Sequence, residues 1–416
     1  RTKLSVAEEL VQPLLEHLGK GQGVVRVDAA GSYRRRRETV GDLDVLVSRG
    51  GKSDVMDRFV NYEDVEHVVS KGETRSSVVM RFGLQVDLRV VGEESFGAAL
   101  HYFTGSKDHN IAVRKLGLKR NLKINEYGVF HGEERIAGTN EHEVYDEVEL
   151  PYIEPELREN QGEIEAAQAN KLPELVRLDE IRGDLHAHTR ATDGRSTLEE
   201  MAQAGRERGY DYLAITDHSK HVTVARGLDE GRLAEQIDEI DRLNEQLDGF
   251  RLLKGIEVDI LEDGSLDLPD DVLRRLDIVV GAVHYKFNLP RDKQTERVLR
   301  AMDNRYLNVL AHPTGRMIDE RDPYEIDIEQ VVKAAKESGC CLELNAQPER
   351  LDLTDIHCKR AKETGVGVSI STDAHHTREL GFIRFGVGQA RRGWLEAGDV
   401  INTKGLSDLR ELLRRR

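Results

Sequence analysis

Asp42 and Asp44 stand two apart in Asp-Leu-Asp-Val-Leu-Val (42–47), and a third acid, Asp87, follows in Gln-Val-Asp-Leu-Arg (85–89). On a strand, a spacing of two turns both carboxylates to one face. Three acids converging from neighbouring strands can hold two divalent cations such as Mg²⁺ or Mn²⁺. One lowers the pKa of an attacking hydroxyl, and both neutralise a transferring phosphoryl group. Gly31-Ser32 precedes them and is expected to open a short helix, offering backbone N–H groups to a triphosphate. The four arginines at 34–37 supply further phosphate partners. An Asp-x-Asp pair alone is common on exposed strand edges; the Gly-Ser before it and the third acid after it give this one weight.

A second set of donors lies further along the chain: His186 and His188, Asp193, Asp217-His218, Glu257, His284, His312, Asn345, and Asp373 with His375. His186 and His188 share one side of a strand, and Asp373 and His375 repeat that spacing. Imidazole mixed with carboxylate suits Zn²⁺ or Mn²⁺. So many donors can hold more than one ion, and clustered ions can activate water and clamp phosphate oxygens. A single histidine at a strand end is more often a satisfied polar residue. Six of the 15 histidines falling at such positions is a different matter. Asp217 is expected to orient a neighbouring ligand.

The elements that must carry these residues follow from hydrophobic spacing. Residues 4–18 read as a helix that Pro13 could bend or split. Residues 24–30 and 42–47 read as strands, and 75–82 with 84–91 as a hairpin around Gly83. Residues 96–149 look like a smaller mixed unit, and 151–178 like a polar, partly helical connector. Beyond residue 181, short apolar strands alternate with amphipathic helices (229–247, 327–338 and 354–364), which predicts a parallel α/β architecture. The expected strands are 183–186, 212–216, 252–258, 278–284, 307–311, 341–345 and 367–372. Donors at the ends of parallel strands gather on one rim. No internal repeat or low-complexity segment is present.

The 416 residues suggest two or three domains. No apolar run is long enough to span a bilayer, and the start lacks the apolar core of a signal peptide. The first residue is not Met, so a fragment or processed chain is expected. Cys340, Cys341 and Cys358 lack metal-binding spacing; they point to a reducing compartment and small buried side chains. A net charge of −16 is unusual for a DNA binder, but residues 1–150 hold 22 Lys and Arg against 25 Asp and Glu. The acid surplus therefore falls mostly in the C-terminal part. An acidic, Arg-rich surface would also suit a high-salt cytoplasm.

Residues 1–150 resemble the family-X DNA polymerases. The palm run is Gly-Ser-Tyr-Arg-Arg-Arg-Arg-Glu-Thr-Val-Gly-Asp-Leu-Asp (31–44). The thumb run is Tyr-Phe-Thr-Gly-Ser (102–106), then His109-Asn110, Arg114 and Asn-Glu-Tyr-Gly (125–128). The resemblance implies metal binding by Asp42, Asp44 and Asp87, and contact of Gly31, Ser32, Arg35 and Gly41 with the incoming triphosphate. It further implies that Tyr102 and Phe103, before Gly105, crowd the sugar 2′ position, that Asn110 reaches the base edge, and that Arg114 tracks the template. Lys and Arg at 107, 114, 115, 119, 120 and 123 would suit a DNA backbone. Arg36 stands where many relatives have Gly, and Gln85 where animal relatives have Arg. The family's amino-terminal helix-hairpin-helix region is not expected among these residues.

Residues from about 180 to 390 resemble the polymerase-and-histidinol-phosphatase (PHP) superfamily. The matching runs are Asp-Leu-His-Ala-His-Thr (184–189), Thr-Asp-His-Ser (216–219), Gly-Ile-Glu-Val-Asp (255–259), Ala-Val-His (282–284), Ala-His-Pro (311–313) and Ser-Thr-Asp-Ala-His (371–375). The resemblance implies a distorted seven-stranded β/α barrel with up to three Zn²⁺ or Mn²⁺ ions. The implied ligands are His186, His188, Asp193, His218, Glu257, His284, His312, Asp373 and His375.

The fold expected from this is multidomain α/β: a mixed-sheet nucleotidyltransferase palm (1–95), a small thumb (96–150), a linker (151–179) and a PHP barrel (180–416). The implied activity is deoxynucleotide addition at primer 3′ ends in short gaps, joined to metal-dependent 3′–5′ exonuclease or 3′-end processing, with abasic-site cleavage among the implied reactions. Implied partners are gapped or primed DNA and deoxynucleoside triphosphates, with no membrane. A cytoplasmic, nucleoid-associated monomer is expected. The alternatives are a nucleotidyltransferase fused to a small-molecule phosphatase, against which the thumb run speaks, and a DNA-binding scaffold with a dead palm, against which the three intact aspartates speak.

Overall fold

Leu4, Ala7, Val11, Leu14 and Leu18 fall on one stripe, and Leu4–Gly19 forms a single helix, α1, buried along that stripe. Pro13 neither ends nor splits it: Pro13 lies on the exposed face, away from the buried stripe. In the computed structural model, which describes residues 1–414, the chain divides into two compact units that meet at Leu172 and Pro173.

The first unit is built on a five-stranded mixed sheet. Its strands are β1 (Val24–Ala29), β2 (Asp42–Arg49), β3 (Val65–Lys71), β4 (Arg75–Met80) and β5 (Gln85–Gly92), in the order β1-β2-β5-β4-β3. β2 and β5 run parallel, and the other pairs antiparallel. The helix α2 (Gly31–Arg34) opens directly after β1. α3 (Phe96–Thr104) and α4 (Lys107–Lys119) follow, then a three-stranded antiparallel sheet of β6 (Leu122–Asn125), β7 (Gly128–His131) and β8 (Glu134–Ala137), then α5 (Glu141–Asp146).

Residues 151–172, expected to be a connector, are instead part of this unit. Ile153, Leu157 and Ile164 are buried, and so are the charged Arg158 and Glu163. A charge is buried only with a partner. Arg158 Nη1 reaches Glu141 Oε1 at 2.6 Å, and Glu163 Oε1 lies 2.7 Å from His109 Nδ1. These partners lie far back in the chain, so the stretch reads as polar linker in sequence and packs as core in space. From Val176 onward the backbone bonds to the second unit, with Val176 N donating to Leu395 O at 2.9 Å.

The second unit contains seven parallel strands in sequential order: β9 (Gly183–Asp184), β10 (Tyr212–Ile215), β11 (Arg251–Asp259), β12 (Ile278–Ala282), β13 (Val309–Leu310), β14 (Cys341–Asn345) and β15 (Val368–Ser371). All seven expected strands are present, several shortened where the ladder gives way to loop. The barrel closes through a narrow seam. Ala187 and Ala374 form one bridge, and the Asn402 side chain joins the two edges, donating to Gly183 O at 2.8 Å and Ile370 O at 2.7 Å.

The two-residue strand period explains how the fold positions its polar groups. Tyr212, Leu253, Ile278, Val280 and Cys341 fill the lower interior together with Leu409 and Leu413 from the helix Leu406–Leu413. The same faces turn polar higher up, from Leu253 to Glu257 on β11 and from Cys341 through Glu343 to Asn345 on β14. The upper rim is therefore the place where donors can gather. Among the described residues no helix is long and apolar enough to cross a membrane, and Cys340, Cys341 and Cys358 are buried.

Candidate metal centres

In the first unit, β2 and β5 place Asp44 directly beside Asp87 in register, with Asp42 two residues earlier on the same face. The turn into α2 lies against them. Gly31 has φ +62°, and a Cβ there would stand 2.4 Å from Asp44 Oδ2. Only glycine permits that approach of backbone to carboxylate. Burial, then the charges of Asp42 and Asp87, raise the Asp44 pKa to about 6. Mutual repulsion of this kind is relieved by cations.

Gln85 bears on the departure noted above. Its side-chain amide donates to Asp87 Oδ1 at 3.3 Å, and Ser77 Oγ also bonds Asp87. A neutral donor thus supports Asp87, with Arg75 Nη2 standing off at 3.9 Å. Arg36 adopts φ +56°, the left-handed conformation that glycine favours, and pairs with Glu8 at 3.1 Å. The turn is kept despite the side chain.

A cavity of about 550 Å³ joins these acids to the expected substrate groups. Gly31, Ser32, Arg35, Asp42, Asp44, Tyr102, Phe103, Gly105, Asn110 and Arg114 all line it, with Arg1, Arg37, Ser106 and Lys107. Asp87 and Gly41 are not among its lining residues; Gly41 lies against the Arg1 side chain. Tyr102 and Phe103 meet edge to face at 5.1 Å. Asn110 donates to Tyr102 O at 2.7 Å, while its Oδ1 is buried without a hydrogen bond. Arg35 bonds Thr104 O at 2.5 Å and Glu159 at 3.0 Å.

In the second unit, the nine expected ligands converge. Three groups each bring donor atoms within 4.8 Å of one another: His188, Asp193, His218 and His375; His186, His188 and Asp373; and His218, Glu257 and His284. His312 Nε2 adds to the third at 3.0 Å from Glu257 Oε1. Four donor atoms here are buried without a hydrogen bond: His186 Nε2, His188 Nδ1, His218 Nδ1 and Glu257 Oε2. Nδ1 of His218 lies only 2.8 Å from Glu257 Oε2, yet the pair lacks hydrogen-bond geometry. Buried polar atoms are seldom left this way. Donors that converge without bonding one another fit a shared cation.

Burial alone would lower these histidine pKa values. Glu257, Asp259 and Asp193 overcome it, raising His218 to about 10 and His284 and His375 to about 9. The carboxylates thus create a field that attracts positive charge. His188 behaves oppositely: burial, then His375 and His218, hold it at about 4, so it stays a neutral imidazole able to donate a lone pair. His312 and Asp373 both have positive φ, +28° and +52°. Strained backbone of this kind persists where surrounding structure over-determines it, often at functional sites.

Several participants were not singled out by sequence reasoning. Glu343 receives His186 Nδ1 at 2.6 Å and the His312 amide at 2.7 Å. Asp259 receives His284 Nδ1 at 3.1 Å. Such outer carboxylates fix ring orientation and tautomer. The available signal was Glu343 two residues before Asn345 on an otherwise apolar strand. Asp217, expected to orient a ligand, bonds the Thr189 amide at 2.8 Å and Gln236 at 2.7 Å. It therefore fixes the loop between His188 and Asp193, and Thr192 Oγ1, which also bonds Asp217, lies 3.3 Å from Asp193 Oδ1.

Comparison with known proteins follows the same division. Residues 1–94 match the DNA polymerase beta palm model, 99–159 the DNA polymerase beta thumb model and 184–347 the PHP domain model. The DNA polymerase/3′-5′ exonuclease PolX of Bacillus subtilis is 42% identical over 100% of this chain and 73% of that protein. A probable phosphatase of Thermoanaerobacter sp. is 31% identical over 53% of this chain and 89% of its own length. A crystal structure of Leishmania infantum polymerase beta aligns with 38% of this chain and 76% of that chain at 24% identity and a TM-score of 0.34. With palm, thumb and PHP models matched in order and a PolX relative aligned along the whole of this chain, the chain belongs to the family-X DNA polymerases that carry a PHP domain.

Proposed function

We propose that this chain extends DNA primers with deoxynucleotides through its first unit and degrades or trims DNA 3′ ends through its second. The carrying observation is the in-register pair Asp44 and Asp87, of which Asp44, with Asp42 and the Gly31-Ser32 turn packed against it, lines a cavity large enough for a nucleotide. The PolX relative supports both halves, and the PHP donors support metal-dependent hydrolysis in the second.

Asp42, Asp44 and Asp87 hold Mg²⁺ or Mn²⁺ in this reading. The nine barrel residues, from His186 to His375, hold Zn²⁺ or Mn²⁺. Bound divalent ions supply positive charge at the transferring phosphoryl group and acidify the attacking hydroxyl or water. The residues do the rest. Ser32 and Arg35 hold triphosphate oxygens. Tyr102 and Phe103 leave little room beside the sugar 2′ carbon. Asn110 presents its unbonded Oδ1 toward the base edge, and Arg114 follows the template. Palm (1–95), thumb (96–150) and barrel (180–416) each keep a separate task.

Primer extension on gapped DNA, read beside 3′ degradation of single-stranded DNA, tests both halves at once. Asp42→Ala with Asp44→Ala should abolish extension and leave degradation. His186→Ala with His188→Ala should do the reverse. Extension that survives the first pair would sink the palm assignment, and degradation that survives the second would sink that of the barrel.

A further inference from the structure

Arg350 follows β14 in the loop 346–353, on the rim that carries the barrel donors. The loop is pinned to that rim. Gln347 Nε2 donates to Asp373 O at 2.9 Å, Asn345 N donates to Asp352 O at 2.6 Å, and Arg316 Nη2 donates to Leu351 O at 2.5 Å. Leu351, the next residue, takes φ +42°. A branched side chain in that region costs energy, so the neighbouring structure forces this conformation.

The guanidinium held there lacks an adequate partner. Its side chain is 19% exposed, and its nearest carboxylate oxygen, Asp373 Oδ2, stands 3.9 Å from Nε. Asp373 is already engaged, with Oδ2 receiving Asn345 at 3.1 Å and Oδ1 lying 3.0 Å from His188 Nε2. Nη1 of Arg350 is fully buried and makes no hydrogen bond. Arg321 adds to the imbalance: burial, then the Arg350 charge, lower its pKa. An always-charged donor buried without an acceptor is costly. An arriving anion would remove that cost, and the planar guanidinium fork matches phosphate oxygens.

We propose that Arg350 binds a non-bridging oxygen of the phosphate group hydrolysed at the barrel rim. It is a substrate-binding residue beside the metal ligands rather than one of them. The assignment rests on the reading of the barrel as a phosphoesterase. The phosphate could belong to a DNA 3′ end or to a small phosphomonoester, since both present the same oxygens.

The test uses the full chain loaded with Mn²⁺, and inorganic phosphate as the probe. Calorimetry should show phosphate affinity about 10- to 100-fold weaker in Arg350→Ala and Arg350→Gln, the range expected for one lost charged hydrogen bond. Arg350→Lys should recover part of it, because a point charge replaces the fork. Metal content by elemental analysis should be unchanged in all three. Phosphate affinity within twofold of the parent chain would overturn the proposal. So would loss of metal in both neutral variants, which would make the role structural.

Parallel assays on a single-stranded oligodeoxynucleotide and on p-nitrophenyl phosphate separate the sources. Loss on both supports recognition of the reacting phosphate. Loss on the oligonucleotide alone overturns it in favour of a contact to a neighbouring backbone phosphate. If the parent chain binds phosphate through Arg350 but hydrolyses neither substrate, the phosphoesterase reading fails while the anion site stands.

Discussion

In the palm, Asp42 and Asp44 line a cavity of about 550 Å³, Asp42 is exposed, and Asp87 stands in register beside Asp44. In the barrel, six imidazoles interleave with three carboxylates at strand ends, where His186 and His188 are wholly buried. Oxygen-only ligands with access to solvent suit hard cations that keep waters and share substrate phosphates. Buried nitrogen and oxygen donors suit a resident transition-type ion. In the proposed reading, the palm ion site would be completed by its substrate and the barrel site by the chain's own residues. The first unit manages buried charge internally: Arg34 and Arg158 both bond Glu141, and although burial favours protonation, the two guanidinium groups hold its carboxyl well below the usual range. At the barrel rim, by contrast, His186 Nε2, His188 Nδ1, His218 Nδ1 and Glu257 Oε2 stay buried without hydrogen bonds, an arrangement that bound cations would satisfy.

Chelation should break the symmetry most visibly. Removing barrel metal should cost the second unit about 4 kcal/mol for each ion held at a thousandfold excess over its Kd. The first unit should melt unchanged. Calorimetry with and without chelator reads both transitions, and equal shifts would erase the distinction. Next in size, Glu141→Ala should destabilise the first unit by about 3–5 kcal/mol, because it strands the buried Arg158. Denaturant unfolding measures it; a cost under about 1 kcal/mol would mean the network is not the internal counterion described.

The smallest effect separates the two sites by pH. Asp44 has its pKa raised to about 6, so it is protonated below that value and ionised above it. Cation affinity of the palm should therefore fall as pH drops through 6, by up to about tenfold per unit, or about 1.4 kcal/mol. Mn²⁺ titration of a His186→Ala, His188→Ala chain would follow the palm with the barrel ligands depleted. Affinity flat from pH 5 to 7 would show that Asp44 is not the titrating ligand.

Much of the site could be read before any coordinates. Asp42 with Asp44 is legible because the strand period fixes which side chains share a face. His186 with His188 and Asp373 with His375 are legible as donor pairs, but they lie in the loops just beyond β9 and β15, where Asp373 takes φ +52° and the loop backbone rather than the strand period brings them together. The seven strands were legible because parallel strands buried on both faces read as short apolar runs. Other features depended on residues distant in the chain. Gln85 supports Asp87 through a neutral amide, and Arg36 preserves a glycine-like turn. Glu343 meets His186 across 157 positions. Residues 151–172 looked like a polar linker because the partners of Arg158 and Glu163, Glu141 and His109, lie outside the stretch.

The sequence by itself determined the donor types, their same-face spacing and the order of the strands, since these depend on backbone periods that local residues obey. Only the tertiary structure decided which charges are compensated. It satisfied Arg158 with Glu141 and left His188 Nδ1 and Arg350 Nη1 buried without hydrogen bonds. Burial and partnership are set by what folds against a residue, and a one-dimensional pattern does not encode that distance.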